Sequence, residues 1–279
     1  MKRCIPPSIT ISIAMPSYQQ SSFIEEAVRS ALDQQGVTTE LIVLDPGSTD
    51  GTRELLLSLK EEYGDRLVLH FAPDSGQADA VNRGLAMARG RVMGWLNSDD
   101  RLRPGALSCV TNLLDSDQPR WLYGRCGIID SGGKPVGAMV SRYKELRGRS
   151  FSIHKLVTEN FIPQMAVFWN TSIWERSGGL DPNRHLDMDY DLWLRYAQIS
   201  TPMVLTERLA DFRVHGAGKS SLRTIEMLDM AFETARRHSE RLGRRGQWAL
   251  FIHRLFRLRN KMAFRVFSLM MKKTPDRTL

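Results

Sequence analysis

The chain has 279 residues, 42% hydrophobic and 25% charged, with 21 glycines and 12 prolines; that is ample for a packed core and excludes collagen-like, low-complexity and largely disordered chains. Three cysteines (Cys4, Cys109, Cys126) without C-x-x-C spacing exclude a disulfide framework and a cysteine zinc site, and fit a reducing compartment. The net charge of +8 is uneven: 236–279 carries 13 Lys/Arg against Glu240 and Asp276, or +11, which leaves 1–235 at −3 and sets a mildly acidic body apart from a basic tail.

The start, MKRCIPPS, is basic, but no secretory apolar segment follows, and no run of about 18 apolar residues spans a membrane. Residues 9–15 (ITISIAM) are β-branched and predict a strand. Residues 23–35 place Phe23, Ala27, Val28, Ala31 and Leu32 on one helical face. ELIVLD (40–45) is a short apolar run of the kind that forms a buried parallel strand. The turn PGSTDG then leads to a helix over 52–63. A strand at 67–71, a helix at 77–89 and a strand at 91–96 complete a β-α-β-α-β-α-β order, which implies a parallel sheet covered on both faces. A further strand is expected at 203–213.

Ligands of such sheets bind beyond the carboxyl ends of the strands. Polar residues collect there: Ser17 and Tyr18, Asp45, Asp74, then Asp99 and Asp100. Any one of them can be a helix cap or a loop residue, as Asp50 is expected to be, but all four predicted strands end this way. No G-x-x-x-x-G-K-[ST] and no G-x-G-x-x-G after a strand is present, which excludes a P-loop NTPase or a dinucleotide enzyme.

The segments PSYQ (16–19), LDPGSTDGT (44–52), DSGQADAVNRG (74–84), WLNSDD (95–100), GGLDPNRHLDMDYDLWLR (178–195) and FRVHGAGKSS (212–221), in that order, resemble the family-2 glycosyltransferases. The resemblance covers about 8–221 and is greatest to bacterial members that build surface polysaccharide or glycolipid. It implies the GT-A fold, a Rossmann-like, mixed but mainly parallel sheet flanked by helices. It also implies an inverting transfer of sugar from a nucleotide-diphosphate donor, UDP- or dTDP-type, to a hydroxyl acceptor.

Under the resemblance Asp45 accepts the N3–H of the base, and Pro16, Ser17 and Tyr18 line the same pocket. Gln77, Asp79 and Asn82 face ribose or pyrophosphate, although Asp79 also suits the helix dipole. Asn97-Ser98-Asp99 stands at the family's D-x-D, with Asn97 replacing the first acid. Asp99 is then the ligand of Mn²⁺ or Mg²⁺, with Asp100 as the second candidate and, with Asn97, on the nucleotide-sugar side. Asp189 matches the second acid of the catalytic pair and Met188 replaces the first. Asp191 and Asp187 compete with it for base or cap. His215 and Lys219 are expected over the diphosphate, and Gln164 and Trp169 on the acceptor side, where Trp169 stacks on a sugar or lies in the core.

The expected division is a catalytic domain over 1–221, with a donor half to about 100 and an acceptor half from 101, and a helical tail over 222–279. The tail segment 248–271 has an apolar face from Trp248, Phe251, Ile252, Leu255, Leu258, Met262, Val266, Leu269 and Met270, with Arg254, Arg257, Lys261, Arg265 and Lys272 opposite. This predicts a membrane-surface helix or one packed on the body or a partner. The partners expected are a nucleotide sugar, a glycan or lipid-linked acceptor and the cytoplasmic face of the plasma membrane; nucleic acid is not expected, because no recognised module accompanies the charge. Two other readings are a sugar-phosphate nucleotidyltransferase and a membrane-docking scaffold on a degenerate transferase fold. PSYQQSS (16–22), without glycine or Lys/Arg, argues against the first; Pro46, Asn97 and Met188 are the departures that would suit the second.

Overall fold

Alternation of buried hydrophobic strands with one-sided helices dictates the first half of the computed structural model, which describes residues 10–216 and 223–273, with side chains through Met262. The strand β1 (Ile11–Pro16) pairs in parallel with β2 (Thr39–Leu44) and β4 (Val92–Trp95), and β2 pairs in parallel with β3 (Leu67–His70). All of β2 is buried, as a strand covered on both faces requires. Helix α1 (Ile24–Leu32) buries Ile24, Ala27, Val28, Ala31 and Leu32, the face that the periodicity predicts. Helices α2 (Thr52–Tyr63) and α3 (Gln77–Ala86) follow. Gly84, inside α3, is there for proximity: a Cβ would stand 2.7 Å from Leu44 and 3.0 Å from Ala14, so the helix lies directly on the sheet. Glycine in a helix interior costs about 1 kcal/mol.

The second half contains β5 (Arg101–Leu102), α4 (Ala106–Leu114), β6 (Trp121–Ile129), α5 (Ala138–Gly148), α6 (Ile153–Thr158), β7 (Val167–Asn170), α7 (Thr171–Ser177), α8 (Met188–Ile199) and β8 (Met203–Arg213). The sheet order is β3-β2-β1-β4-β7-β6-β8-β5. Here β7 runs antiparallel to β4 and β6, β5 antiparallel to β8, and β6 parallel to β8. Among the described residues the sheet is mixed, with four parallel pairings and three antiparallel ones.

The chain forms two compact units, one of residues up to 151 with 161–215, the other of 152–160 with the residues from 216 on. In the second, α9 (Thr224–Ser239) and α10 (Gly243–Lys273) pack with α6. The most deeply buried residues of α10 are small or polar, with Leu250, Ile252 and Phe256 half-buried beside them. Gly246 sits where a Cβ would lie 2.5 Å from the Ser239 carbonyl, Ala249 is buried, and His253 meets the Val157 carbonyl at 2.7 Å. Burial pushes the His253 imidazole below its ordinary value, with the Arg257 charge adding to it, against the Val157 bond. Asp229 turns Arg257 and Lys261 toward α9 (3.5 and 2.5 Å), so these two leave the basic face expected of them. Trp248, Phe251, Leu255, Leu258 and Met262 are exposed, Trp248 at 65% and Met262 at 68%. The expected side chains beyond Met262 lie outside the described residues.

Candidate active site

The strand ends are stitched together by their own polar residues. Gln19, at φ 55°, turns the chain after β1 onto the loop after β2. There its N–H donates to Ser48 Oγ (2.8 Å), and the Gln20 and Ser21 N–H groups donate to Thr52 Oγ1 and Asp50 Oδ2 (both 2.9 Å). Asp50 serves the helix start, as expected, accepting from the Thr52 N–H and hydroxyl. Its slight burial acts upward, but these bonds bring its carboxyl down to about 2. Asp45 is fully buried and holds its own turn: it accepts from the Gly47 and Ser48 N–H groups (2.9 and 2.8 Å), the Ser48 hydroxyl (2.5 Å) and Arg53 Nε (3.3 Å). The Arg53 guanidinium covers the Phe71 ring at 4.8 Å. Pro16 is half-buried and Tyr18 exposed. The buried Ser17 hydroxyl has no hydrogen-bond partner among the described residues.

Asn97 is the hub at the end of β4. Its Oδ1 accepts from Gln77 Nε2 (2.7 Å) and Trp95 Nε1 (2.9 Å), and its Nδ2 donates to Asp100 Oδ2 and Gln164 Oε1 (both 3.2 Å). Gln164 in turn donates to the Trp95 carbonyl (2.6 Å). A carboxylate at 97 has no hydrogen to donate and would add charge beside Asp100. The amide in place of the family's first acid is therefore what this network requires. It also draws Gln164, buried, into the strand-end framework.

Asp99 and Asp100 point to different partners. Asp100 is buried and accepts the Arg213 N–H at 2.9 Å. Burial pushes its carboxyl well above the usual range, and the Asp99 charge adds to this. It is a structural acid beneath the site and not the second ligand considered for it. Asp99, partly exposed, meets His215 Nε2 at 3.0 Å. The pair joins the ends of β4 and β8 and is underpinned by Arg213, which donates to the carbonyls of Asp99 (2.8 Å), Asp130 and Ser131 (both 3.2 Å) and pairs with Glu26. Phe23 fills the space between, its ring 4.9 Å from both the Arg213 guanidinium and the His215 ring. Arg213 and Glu26 escape the sequence reading. The one signal is the position of Arg213 at the end of a strand, two residues before His215.

Among the described residues no group of three or more His, Cys, Asp or Glu side chains is placed to hold a metal ion by itself. The Asp99–His215 pair offers one hard oxygen and one imidazole nitrogen, which suits Mn²⁺ and admits Mg²⁺ when phosphate oxygens and water fill the other positions. Lys219 lies outside the described residues.

The start of α8 carries the remaining acidic candidates. Asp189 is in its first turn and half-buried. Asp191 is buried and bound by Arg195 (2.9 Å) and Arg184 (3.7 Å), while Asp187 pairs with Arg184 (2.6 Å). Buried between two arginines, Asp191 serves the helix anchor, which corrects its candidacy as base. Asn82 clamps the loop before α8, donating to the Leu180 carbonyl (2.8 Å) and accepting its N–H (2.9 Å), so both ends of its amide are engaged by the chain. Asp79 accepts the Ser75 N–H (3.0 Å) and lies 3.7 Å from Arg83, the helix-start role considered for it. Trp169 is fully buried, stacked on Trp174 at 5.9 Å and against Trp193 at 5.8 Å. It is a core residue, and the sugar-stacking role is withdrawn.

Comparison with known proteins gives a match over residues 12–173 to the family model described as glycosyl transferase family 2. The chain is 39% identical over 207 residues to the Bacillus subtilis glycosyltransferase TuaG, named for teichuronic acid biosynthesis, covering 73% of this chain and 79% of that protein. It is 26% identical over 211 residues to an uncharacterised glycosyltransferase of Nostoc sp., covering 74% of this chain and 65% of that one; the match thus spans about two thirds of such relatives. Among solved structures, the mannosyltransferase PcManGT of Pyrobaculum calidifontis, in complex with GDP-Man and Mn²⁺, has a TM-score of 0.64 at 20% identity, over 92% of this chain and 76% of that one. Staphylococcus aureus TarS 1–349 in complex with UDP-GlcNAc has 0.61 at 16%, over 81% and 66%. The likeness is one of fold, the mixed sheet with flanking helices expected above.

Proposed function

The chain belongs to glycosyl transferase family 2, and from that premise we propose that it transfers a sugar from a nucleotide-diphosphate donor, of the UDP or dTDP type, to a hydroxyl acceptor in surface polysaccharide or glycolipid synthesis. The observation that carries the reading is the meeting of Asp99 and His215 at 3.0 Å, from strands at separate places in the sheet, beside the Asn97 hub. The UDP-GlcNAc complex of TarS, the GDP-Man and Mn²⁺ complex of PcManGT and the teichuronic acid name of TuaG support it.

In this reading Pro16, Ser17 and Tyr18 flank base and ribose, and Asp45, fully buried and bonded to Gly47, Ser48 and Arg53, braces the turn beside them in place of the direct contact to the base expected of it. Gln77, oriented by Asn97, faces ribose and pyrophosphate. Asp99 and His215 would hold Mn²⁺ or Mg²⁺. When bound, the ion neutralises charge on the departing diphosphate. Asp189, in the first turn of α8, takes the proton of the acceptor hydroxyl. One base opposite one leaving group makes a single displacement, which inverts the anomeric centre. Segment 248–271 docks on a membrane surface carrying the acceptor, in keeping with the outward apolar stripe of α10. Among the described residues no helix is long and apolar enough to cross a membrane.

The test is a panel of nucleotide sugars with Mn²⁺ or Mg²⁺, read as nucleoside diphosphate release and, separately, as ligand-induced thermal shift. Release and a shift with a UDP- or dTDP-sugar, both suppressed by EDTA, are expected. The absence of either response to every nucleotide sugar would overturn the reading.

A further inference from the structure

Phe23 stands where local rules ask for another kind of residue. Periodicity groups it with Ala27 and Ala31 on the core face of α1. It is also the N-cap of that helix, a position that favours Ser, Asn, Asp or Thr, whose side chains accept a free N–H of the first turn. Ser21 and Ser22 come directly before it, yet the cap is Phe23, which makes no capping bond. Nor does it join the core: Ile24, Ala27, Val28, Ala31 and Leu32 are buried, and Phe23 is half-buried. Its ring lies 4.9 Å from the His215 ring, tilted by 52°, and 4.9 Å from the Arg213 guanidinium. Breaches of local preference concentrate at functional sites.

Arg213 gives the ring a fixed support. The guanidinium donates from Nε to the Asp99 carbonyl (2.8 Å) and from Nη1 to the Asp130 and Ser131 carbonyls (both 3.2 Å), and its Nη2 pairs with Glu26. The side chain is buried, and a planar fork bonded at all three nitrogens has little freedom left. Its charge attracts the face of the Phe23 ring, most strongly where water is excluded. One guanidinium therefore registers both members of the Asp99–His215 pair, Asp99 through its main chain and His215 through Phe23. His215 lies two residues past the end of β8, where the strand ladder no longer directs a side chain. An imidazole that binds a metal is ordinarily oriented by a second group, whose loss weakens the metal about 10–100-fold.

We propose that Phe23, braced by Arg213, is a positioning residue that holds the His215 imidazole toward Asp99 in the geometry a divalent ion requires. The proposal rests on the metal reading above and adds to it a residue of the donor half. The turn after β1, which begins with Ser17 and Tyr18, ends in the ring that steadies a ligand from the far end of β8. A plain apolar contact could be made by any side chain of similar volume; a ring that orients an imidazole could not.

The experiment is titration of the full chain with Mn²⁺, read from the electron paramagnetic resonance signal of the free ion, with melting temperatures taken in EDTA. Phe23→Leu removes the ring and keeps an apolar side chain; it is expected to bind Mn²⁺ about tenfold more weakly, with little change in melting temperature. Phe23→Tyr keeps the ring and should bind like the unmodified chain. Phe23→Ser supplies the favoured N-cap while removing the ring, which guards against misfolding, and should weaken Mn²⁺ binding in the same direction. Adding Phe23→Leu to His215→Gln should cost no further affinity, because a residue that acts through His215 then has nothing to act on. Unchanged Mn²⁺ affinity in Phe23→Leu and Phe23→Ser overturns the proposal, and so does an additive loss in the double variant. Mn²⁺ binding that Asp99→Asn and His215→Gln leave unchanged would overturn the metal reading and the proposal with it. Binding lost in those two and kept in both Phe23→Leu and Phe23→Ser overturns the positioning role alone.

Discussion

The strand-end site and the C-terminal helix depart from the usual distribution of polar and apolar groups in opposite directions. Around the half-buried Asn97 the Gln164 amide, the Asp100 carboxylate and Arg213 are buried; Asn97 donates to the first two, and Asp100 accepts the Arg213 N–H. Along α10 five large apolar side chains lie in solvent while Gly246, Ala249 and His253 face inward. The difference is one of obligation. A buried polar group needs its partner, because leaving it unpaired costs about 1–3 kcal/mol, so the site is cooperative and each member constrains the others. An exposed apolar side chain needs nothing from the fold, so its removal changes what the surface touches and leaves the fold alone.

The largest effects expected follow from the reactive members of the site. Asp99→Asn should reduce transfer by a hundredfold or more, about 2.7 kcal/mol of transition-state stabilisation, with donor-independent melting unchanged; full transfer by this variant, or in EDTA, would break the assignment. Asp189→Asn should abolish transfer while thermal shift with donor persists. Asp191→Asn, in the same helix turn, should instead lower the melting temperature by unbalancing Arg184 and Arg195 and keep transfer within about tenfold. The opposite outcome would exchange base and anchor.

Smaller effects test the comparison itself. Asn97→Asp forfeits two donated bonds and sets a charge beside Asp100; a loss of about 2 kcal/mol in urea unfolding is expected. A more stable variant would deny the hub. In the second unit, His253 has a folded value below its unfolded one, so the unfolded state takes up the proton first. Stability is full above the unfolded value near 6.5 and declines as the pH falls below it toward the folded one. Hydrogen exchange of the α10 amides at pH 8 and pH 5 should show this, and His253→Asn should remove the slope. The smallest change belongs to Trp248→Ser/Leu255→Ser, within about 0.5 kcal/mol of the unmodified chain in the same unfolding experiment; a clear loss would mean that the stripe is covered within the fold.

Much of the donor half was legible. β1 was expected at 9–15 and spans Ile11–Pro16; α2 matches its predicted bounds, 52–63. These elements are set by local periodicity and by Gly and Asp at their starts. The polar residues after each strand were legible for the same reason, since an apolar run that stops abruptly marks where the sheet meets solvent. Partners were not. Asp99 and His215 are 116 residues apart in sequence, and no local pattern reports that β8 ends beside β4. Trp169 illustrates the same limit: an aromatic beside a strand end reads alike whether it faces a ligand or, as here, a cluster of Trp174, Trp193 and Tyr196.

By itself the sequence determined the order of strands and helices, the strand ends where polar residues gather and, through six ordered motifs, the family, which separates a glycosyltransferase from a nucleotidyltransferase. These are properties of periodicity, composition and spacing. Only the tertiary structure decided that Asn97 is an amide for the sake of four neighbours, that Asp100 and Asp191 are buried supports, and that α10 turns an apolar stripe outward. Helical period defines two faces but not which one is packed. That choice falls to close approach, in α10 through Gly246 and Ala249, and to the bond of His253 to Val157, a residue distant in the chain.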